Sequence, residues 1–346
     1  MKLVIEERTL ATESWFPIFD IFLLHIEERR HAFAVEDVDR LLGSAWMRGK
    51  GRRDRELVSR SLTARSHNRL ADRNVIMIDQ TTTPGGFVGG PYTTSLHPRD
   101  CLSFLAQPFS VLVENEWFDG SFLLWMARAL GREALITAYR ANRFVFRHAG
   151  GKGSLKRSAS VFSTGVWPAP SGKHAKAMTL WACAVLDNDA KYPGHAPNAT
   201  LVRELEPWVA FVHELARRSI ESYLPYTALT RYDRGAAFKE QVDALFRLSI
   251  EQRRHYNMKT GLRLKDSSNP TKAAYLAAPE ISGQERALFG IIPNTDWDKL
   301  APGFGKGLSA IFVEDQHRPV AADSAAIEGS DKTEFGDLLD AIYERI

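Results

Sequence analysis

The stretch from Leu180 to Leu186 is apolar at every position and ends at once in Asp187, Asn188 and Asp189. A strand that is apolar on both of its faces must be covered on both, which is the condition of a strand inside a parallel sheet. Parallel neighbours need long crossover connections, and helices supply both the crossovers and the cover. Strand residues i and i+2 share a face, so Asp187 and Asp189 are expected to converge beyond the strand's carboxyl end, where open α/β sheets bind ligands. Like charges that close repel unless a cation or a proton lies between them. An Asp-rich turn after a strand is the competing explanation, so the pair needs support from elsewhere in the chain.

The flanking pattern supplies it. From Phe109 the chain alternates: "SVLVEN" reads as a strand, "DGSFLLWMARALG" as a helix closed by Gly131, and "RFVFRHAGG" as a second strand. "MTLWACAVLDND" is a third strand, and "WVAFVHEL" a fourth that runs into a helix over "ARRSIESYLP". This predicts an α/β fold with a Rossmann-like parallel sheet flanked by helices. From about Arg231 the pattern is mainly helical, with "FKEQVDALFRLSIEQRRHY" as one helix. Residues 1–105 read as a separate α/β or mainly helical unit with no recognisable chemistry, suited to docking or DNA contact. Within it, "FPIFDIFLLHIEERR" and "VEDVDRLLGSAWM" are helical, "NVIMID" is a strand, and "TTTPGGFVGGPYTTSLHPRD" is a long loop. The organisation expected is 1–105, a catalytic 106–265, and a helical extension over 266–346 with an acidic tail.

Charge is uneven along the 346 residues, although the net value is only +3. Between Ala134 and Leu186 there is no acid but eight Lys or Arg, Lys173 and Lys176 among them, and Arg48 to Arg73 holds nine bases against three acids. From Glu314 onward nine acids face three bases. Basic blocks are commonly solvated faces, yet two of them beside a carboxylate pair suit a phosphate track. Lys152, Lys156, Arg157, Arg253 and Arg254 are the candidate nucleic-acid contacts. The two cysteines, Cys101 and Cys183, lack metal-finger spacing and fit a reducing, cytoplasmic setting. Early Glu6 and Glu7 argue against a signal peptide, and "WFPIFDIFLLHI" is too short and too broken to span a membrane.

Three expected strand ends therefore carry chemistry. Glu114 closes the first, with Glu116 and Asp119 behind it; "HAGGKGS" closes the second; Asp187 and Asp189 close the third. Carboxylates are hard ligands for Mg²⁺ or Mn²⁺. This order, E…GG…D-x-D, resembles the Toprim domain of topoisomerases, bacterial primases and a set of nucleases. "LARRSIESYLP" and "RRHYNMKTGL" further resemble segments of the OLD-family (overcoming lysogenization defect) Toprim nucleases, over roughly residues 109–265. The resemblance implies a metal-dependent endonuclease with two Mg²⁺ or Mn²⁺ ions, acting on DNA or RNA. Glu114, Asp187 and Asp189 would hold one ion, Asp119 and Glu221 would contribute to a second, and Lys259 would support catalysis beside Glu114. Asp119 can equally be a first-turn acid at a helix N-terminus, Glu221 a helix partner of Arg217 or Arg218, and Lys259 a phosphate contact. Full-length OLD proteins begin with an ABC-type ATPase. No G-x-x-x-x-G-K-[ST] occurs here, so an ABC-type or AAA ATPase is expected as a partner in trans, for an antiphage effector that can also self-associate. A Toprim-shaped binding module without turnover and a phosphoryl-transfer enzyme acting on a nucleotide are the alternatives.

Overall fold

The computed structural model describes residues 2–28, 31–33, 38–65, 75–82, 88–89, 93–164, 181–232, 234–314 and 318–346. Lys173 and Lys176, and Arg69 and Arg73 of the first basic block, lie outside them. Two sheets follow one another along the chain. The first has the order β2-β1-β3-β5-β4, built from β1 (Lys2–Ile5), β2 (Ala32–Phe33), β3 (Val75–Ile78), β4 (Val88–Gly89) and β5 (Thr93–Leu96). Every pairing is parallel except that of β4 with β5.

The N-terminal unit is thus α/β. Its core packs Phe19 and Phe22 of the helix Phe16–Glu27 with Trp46, Leu3, Ile76 and Ile78. The expected long loop instead carries β4, β5 and the start of the helix Pro98–Leu105. Threonine's branched Cβ suits an extended chain, so a Thr-rich strand formed without the apolar pattern that announces one. "VEDVDRLLGSAWM" becomes two short helices, Val38–Leu42 and Ala45–Arg48, because Ser44 caps the second by accepting from the Met47 N–H at 3.2 Å.

The second sheet has the order β7-β6-β8-β9, all parallel: β6 (Phe109–Val113), β7 (Phe144–His148), β8 (Ala182–Leu186) and β9 (Val212–Glu214). β6 and β8 are buried at every position. Their residues alternate between two cores. Phe109, Val111, Val113, Cys183 and Val185 face the larger one, with the helix Phe118–Ala129; Leu112, Ala182, Ala184 and Leu186 face the smaller one, with Leu155 and Ala159 of the helix Lys152–Thr164. The chain leaves β6 for β7 on one side and returns to β8 on the other. The strand order therefore reverses between β6 and β8, and their carboxyl ends open the crevice where α/β sheets take ligands.

Three expected elements differ. The helix over "ARRSIESYLP" is an irregular segment ending in a 3₁₀ turn, Ile220–Tyr223. Arg217 is buried there against Asp331 and Glu328, at 2.7 and 2.8 Å, and is not available for a pair along a helix. The single helix from Phe238 breaks at Leu248 into Ala236–Arg247 and Ile250–His255, because Ser249 and Gln252 form a capping box that starts the second. Residues 266–346 are not appended: Trp297, Phe312, Phe335, Leu338, Leu339 and Ile342 share the larger core with Val111, Phe122 and Val185. Among the described residues no helix is long and apolar enough to cross a membrane.

Phe335 is fully buried and packs edge-on against Phe122 and Tyr223. Phe335→Ala is expected to cost about 3–5 kcal/mol and to lower one common transition, followed by circular dichroism and tryptophan fluorescence. A separate early transition confined to the C-terminal helix would mean that residues 266–346 fold on their own.

A carboxylate and ammonium cluster at the sheet's switch point

β6 stops at Val113, so Glu114 stands at the carboxyl end of a buried strand, beside the end of β8. Asn115 accepts from the N–H groups of Trp117 and Phe118 at 3.0 and 3.2 Å, which turns the chain into the next helix. That helix carries Asp119 in its first turn, where its carboxylate accepts from the Asn115 N–H at 2.9 Å. Asp119 is thus a helix-start acid and also a member of the cluster. After β7, Gly150 and Gly151 take φ of +77° and +83°, and the following helix begins with Lys152. Its ammonium pairs with Asp189, lies 3.7 Å from Glu114 Oε1 and donates to the Asp187 carbonyl at 2.6 Å.

Asp187 and Asp189 do not share a face. β8 ends at Leu186, and Asp189 has φ +59°, which sends the chain away after one residue. Aspartate tolerates this left-handed conformation better than most residues. Asp187 accepts from the Ile220 N–H at 3.1 Å and feels the charge of Glu221, while Asp189 is exposed and meets Lys152. Its backbone N–H donates to the Arg218 carbonyl at 3.0 Å.

Glu221 is completely buried. Ser219 and Ser309 donate to its two oxygens at 2.7 and 2.8 Å, and Lys259 pairs with it at 3.2 Å. The loop carrying Lys259 is held by backbone bonds from Phe304 to Met258 and from Gly305 to Lys259, at 2.8 and 3.0 Å. Asn257 accepts from the Lys259 and Thr260 N–H groups. Gly261 (φ +66°) and Gly303 (φ +68°) touch through their backbones, and a Cβ on Gly261 would lie 2.2 Å from the Ala301 carbonyl oxygen. The spacing of these loops therefore excludes any side chain.

Five carboxylates, Glu114, Asp119, Asp187, Asp189 and Glu221, share the crevice with the ammonium groups of Lys152 and Lys259. Burial pushes the carboxyls of Glu114 and Asp119 above their ordinary range. Asp187 is pushed well above it, by burial first and then by Glu221, Asp119 and Glu114. Burial pulls the Lys259 ammonium down, but Glu221, Asp187 and Asp119 outweigh that and hold it above its usual value. Lys259 is a permanent cation at neutral pH. Among the described residues no three His, Cys, Asp or Glu side chains form a ready-made metal cage. The donors still suit a divalent ion: all are hard carboxylate oxygens, and Glu114 Oε1 is buried with no hydrogen bond among the described residues.

The expected nucleic-acid contacts separate. Lys152 belongs to the cluster. Arg253 is committed elsewhere, to Glu328 and the Leu248 carbonyl at 2.8 and 2.9 Å, with its guanidinium over Phe246. Lys156 pairs with Glu204 at 2.9 Å and Arg254 donates to Ser330 at 3.0 Å, while Arg157 is exposed. Glu116 accepts from the His148 backbone N–H at 3.2 Å on the exposed rim. Three participants carried no warning in the sequence pattern. Ser309 is far along the chain, Ser219 reads as a helix residue, and Asn198 donates to the Asp187 and Asn188 carbonyls and to Glu214. No family model matches this chain, and neither curated proteins nor solved structures include a match to it.

Two substitutions test this geometry. Because the folded state holds the Asp187 proton more tightly than the unfolded chain, the folded form binds more protons above the ordinary carboxylate range. Stability from this group is then full at low pH and declines as pH rises through its raised value. Asp187→Asn is expected to raise the neutral-pH melting temperature without divalent ions and to flatten this decline. Gly261→Ala is expected to cost about 2–4 kcal/mol in denaturant titrations, from left-handed strain plus overlap with the 300–303 backbone.

Proposed function

We propose that this chain is a Mg²⁺- or Mn²⁺-dependent nuclease of the Toprim type, akin to the OLD-family enzymes, which hydrolyses phosphodiester bonds of DNA or RNA. One observation carries the reading. Carboxylates from four separate segments, the end of β6, the following helix turn, the end of β8 and the 3₁₀ turn at Ile220–Tyr223, meet at the switch point of a parallel sheet. Structural ion pairs rarely need so many like charges in one place, whereas phosphoryl chemistry does.

The resemblance assigns Glu114, Asp187 and Asp189 to one ion and Asp119 and Glu221 to a second; with the two aspartates turned apart, Glu114 and Asp189 would serve one ion, and Asp187 with Asp119 and Glu221 the other. A divalent ion in such a site supplies an activated water and neutralises charge on the leaving oxygen. Ser219 and Ser309 fix both oxygens of Glu221, so its carboxylate keeps one orientation. Lys259 stays protonated and paired with Glu221, which suits it to stabilise charge on phosphoryl oxygens and not to act as a base. The resemblance adds a setting: an antiphage effector governed by a partner ATPase, to be sought by co-purification from the native host.

Incubation of the purified protein with plasmid, transfer RNA and nucleotides, with and without Mn²⁺, tests the reading. Metal-dependent cleavage of polymer is the expected result. Turnover of nucleotides alone would assign a phosphoryl-transfer enzyme, and binding without cleavage a non-catalytic module. Lys259→Ala should lower the single-turnover rate by about 10²-fold or more with little change in substrate affinity. A fall in affinity at unchanged rate would make Lys259 a phosphate contact.

A further inference from the structure

Lys152 stands where helix physics resists it. It opens the 13-residue helix Lys152–Thr164, and a cation in the first turn faces the positive end of the helix dipole. The backbone nevertheless fixes it there. Ala149 N–H donates to the Val113 carbonyl at 2.9 Å and Gly151 N–H to the Glu114 carbonyl at 3.3 Å, which fastens the Gly150–Gly151 turn to the end of β6. Both glycines have positive φ, so the turn is one that other residues adopt only with strain. Its outcome is an ammonium set between Glu114 and Asp189, two carboxylates from different strand ends, with the Asp187 carbonyl as a third partner. The side chain is only 20% exposed, too enclosed for a freely sampling surface lysine. Lys259 serves the other half of the cluster, beside Glu221.

We propose that Lys152 is the resident counter-cation of the Glu114–Asp189 half of the cluster, and that a divalent ion enters this half only by displacing its ammonium. The inference rests on reading the cluster as a cation site. An ammonium and a divalent ion compete for the same oxygens, and Glu114 Oε1, which has no hydrogen bond among the described residues and lies 3.7 Å from the Lys152 ammonium, is the atom over which they compete. The lysine then keeps the metal-free protein folded despite its crowded acids, and sets a threshold of divalent ion below which this half stays closed.

The test needs no substrate. Mn²⁺ is titrated calorimetrically into wild type, Lys152→Ala and Lys152→Arg, and each is melted with and without Mn²⁺. Lys152→Ala is expected to bind Mn²⁺ about tenfold more tightly or better, since the competing charge is gone. It should also melt lower than wild type without divalent ions and recover when Mn²⁺ is added. Lys152→Arg keeps the charge and should bind like wild type or more weakly. If Lys152→Ala folds only in the presence of Mn²⁺, that dependence supports the proposal, and Lys152→Met, which retains the apolar stem, provides the affinity comparison. Equal affinity in wild type and Lys152→Ala overturns the counter-cation role and leaves the cation site standing. No binding by any of the proteins overturns both.

Discussion

Acids gathered at the ends of two fully buried strands can remain charged only where cations stand beside them, since a low-dielectric crevice penalises each unpaired charge. Much of the second half of the molecule follows from that constraint. Lys152 is set against Glu114 and Asp189 by a glycine turn, and Lys259 against Glu221 by a loop whose Gly261 meets Gly303 with no room for a side chain at either. Asp187, between the two lysines, is left with a backbone N–H and an upward-shifted carboxyl. The cluster is a balance of charge distributed over elements that are far apart in sequence.

The acidic C-terminal region is part of the same arrangement. Asp331 and Glu328 hold Arg217, Glu328 also holds Arg253, and Glu334 accepts from Tyr223 and from the Ala216 N–H. These bonds grip both sides of the segment that presents Glu221. Breaking one partner of a buried pair such as Arg217 with Asp331 leaves the other charge stranded, which costs more than the pair itself contributes. The acidic tail of the sequence thus supplies counter-ions for arginines that belong to residues 106–265.

The parts legible in the sequence were those decided by local pattern. β8 is apolar at each position, the turn after β7 is marked by the glycines, and the carboxylates stand at the expected strand ends. What escaped depended on a single dihedral or on distant partners. The convergence of Asp187 and Asp189 failed because one residue crosses to positive φ after the strand has ended. β5 was hidden because Thr93–Leu96 borrows its register from Val75–Ile78 and carries no apolar alternation of its own. The helix expected around Glu221 gave way to Arg217's long-range pairs, and Ser309 has no local signal that it bonds Glu221. Lys152 was legible as a basic residue after a glycine turn, but its place inside the cluster required the folded sheet.

The contact between Gly261 and Gly303 has an evolutionary consequence. Carboxylates at strand ends arise in many unrelated α/β proteins, so they are poor guides to ancestry. Two glycines that must both lack a side chain for their backbones to meet are a joint requirement, since neither substitution can be compensated at the other position. Divergent descendants should therefore keep this pair together or lose it together with the loop that carries Lys259. In distant sequences where the acids have drifted or been replaced, the paired glycines would be the better mark of common descent.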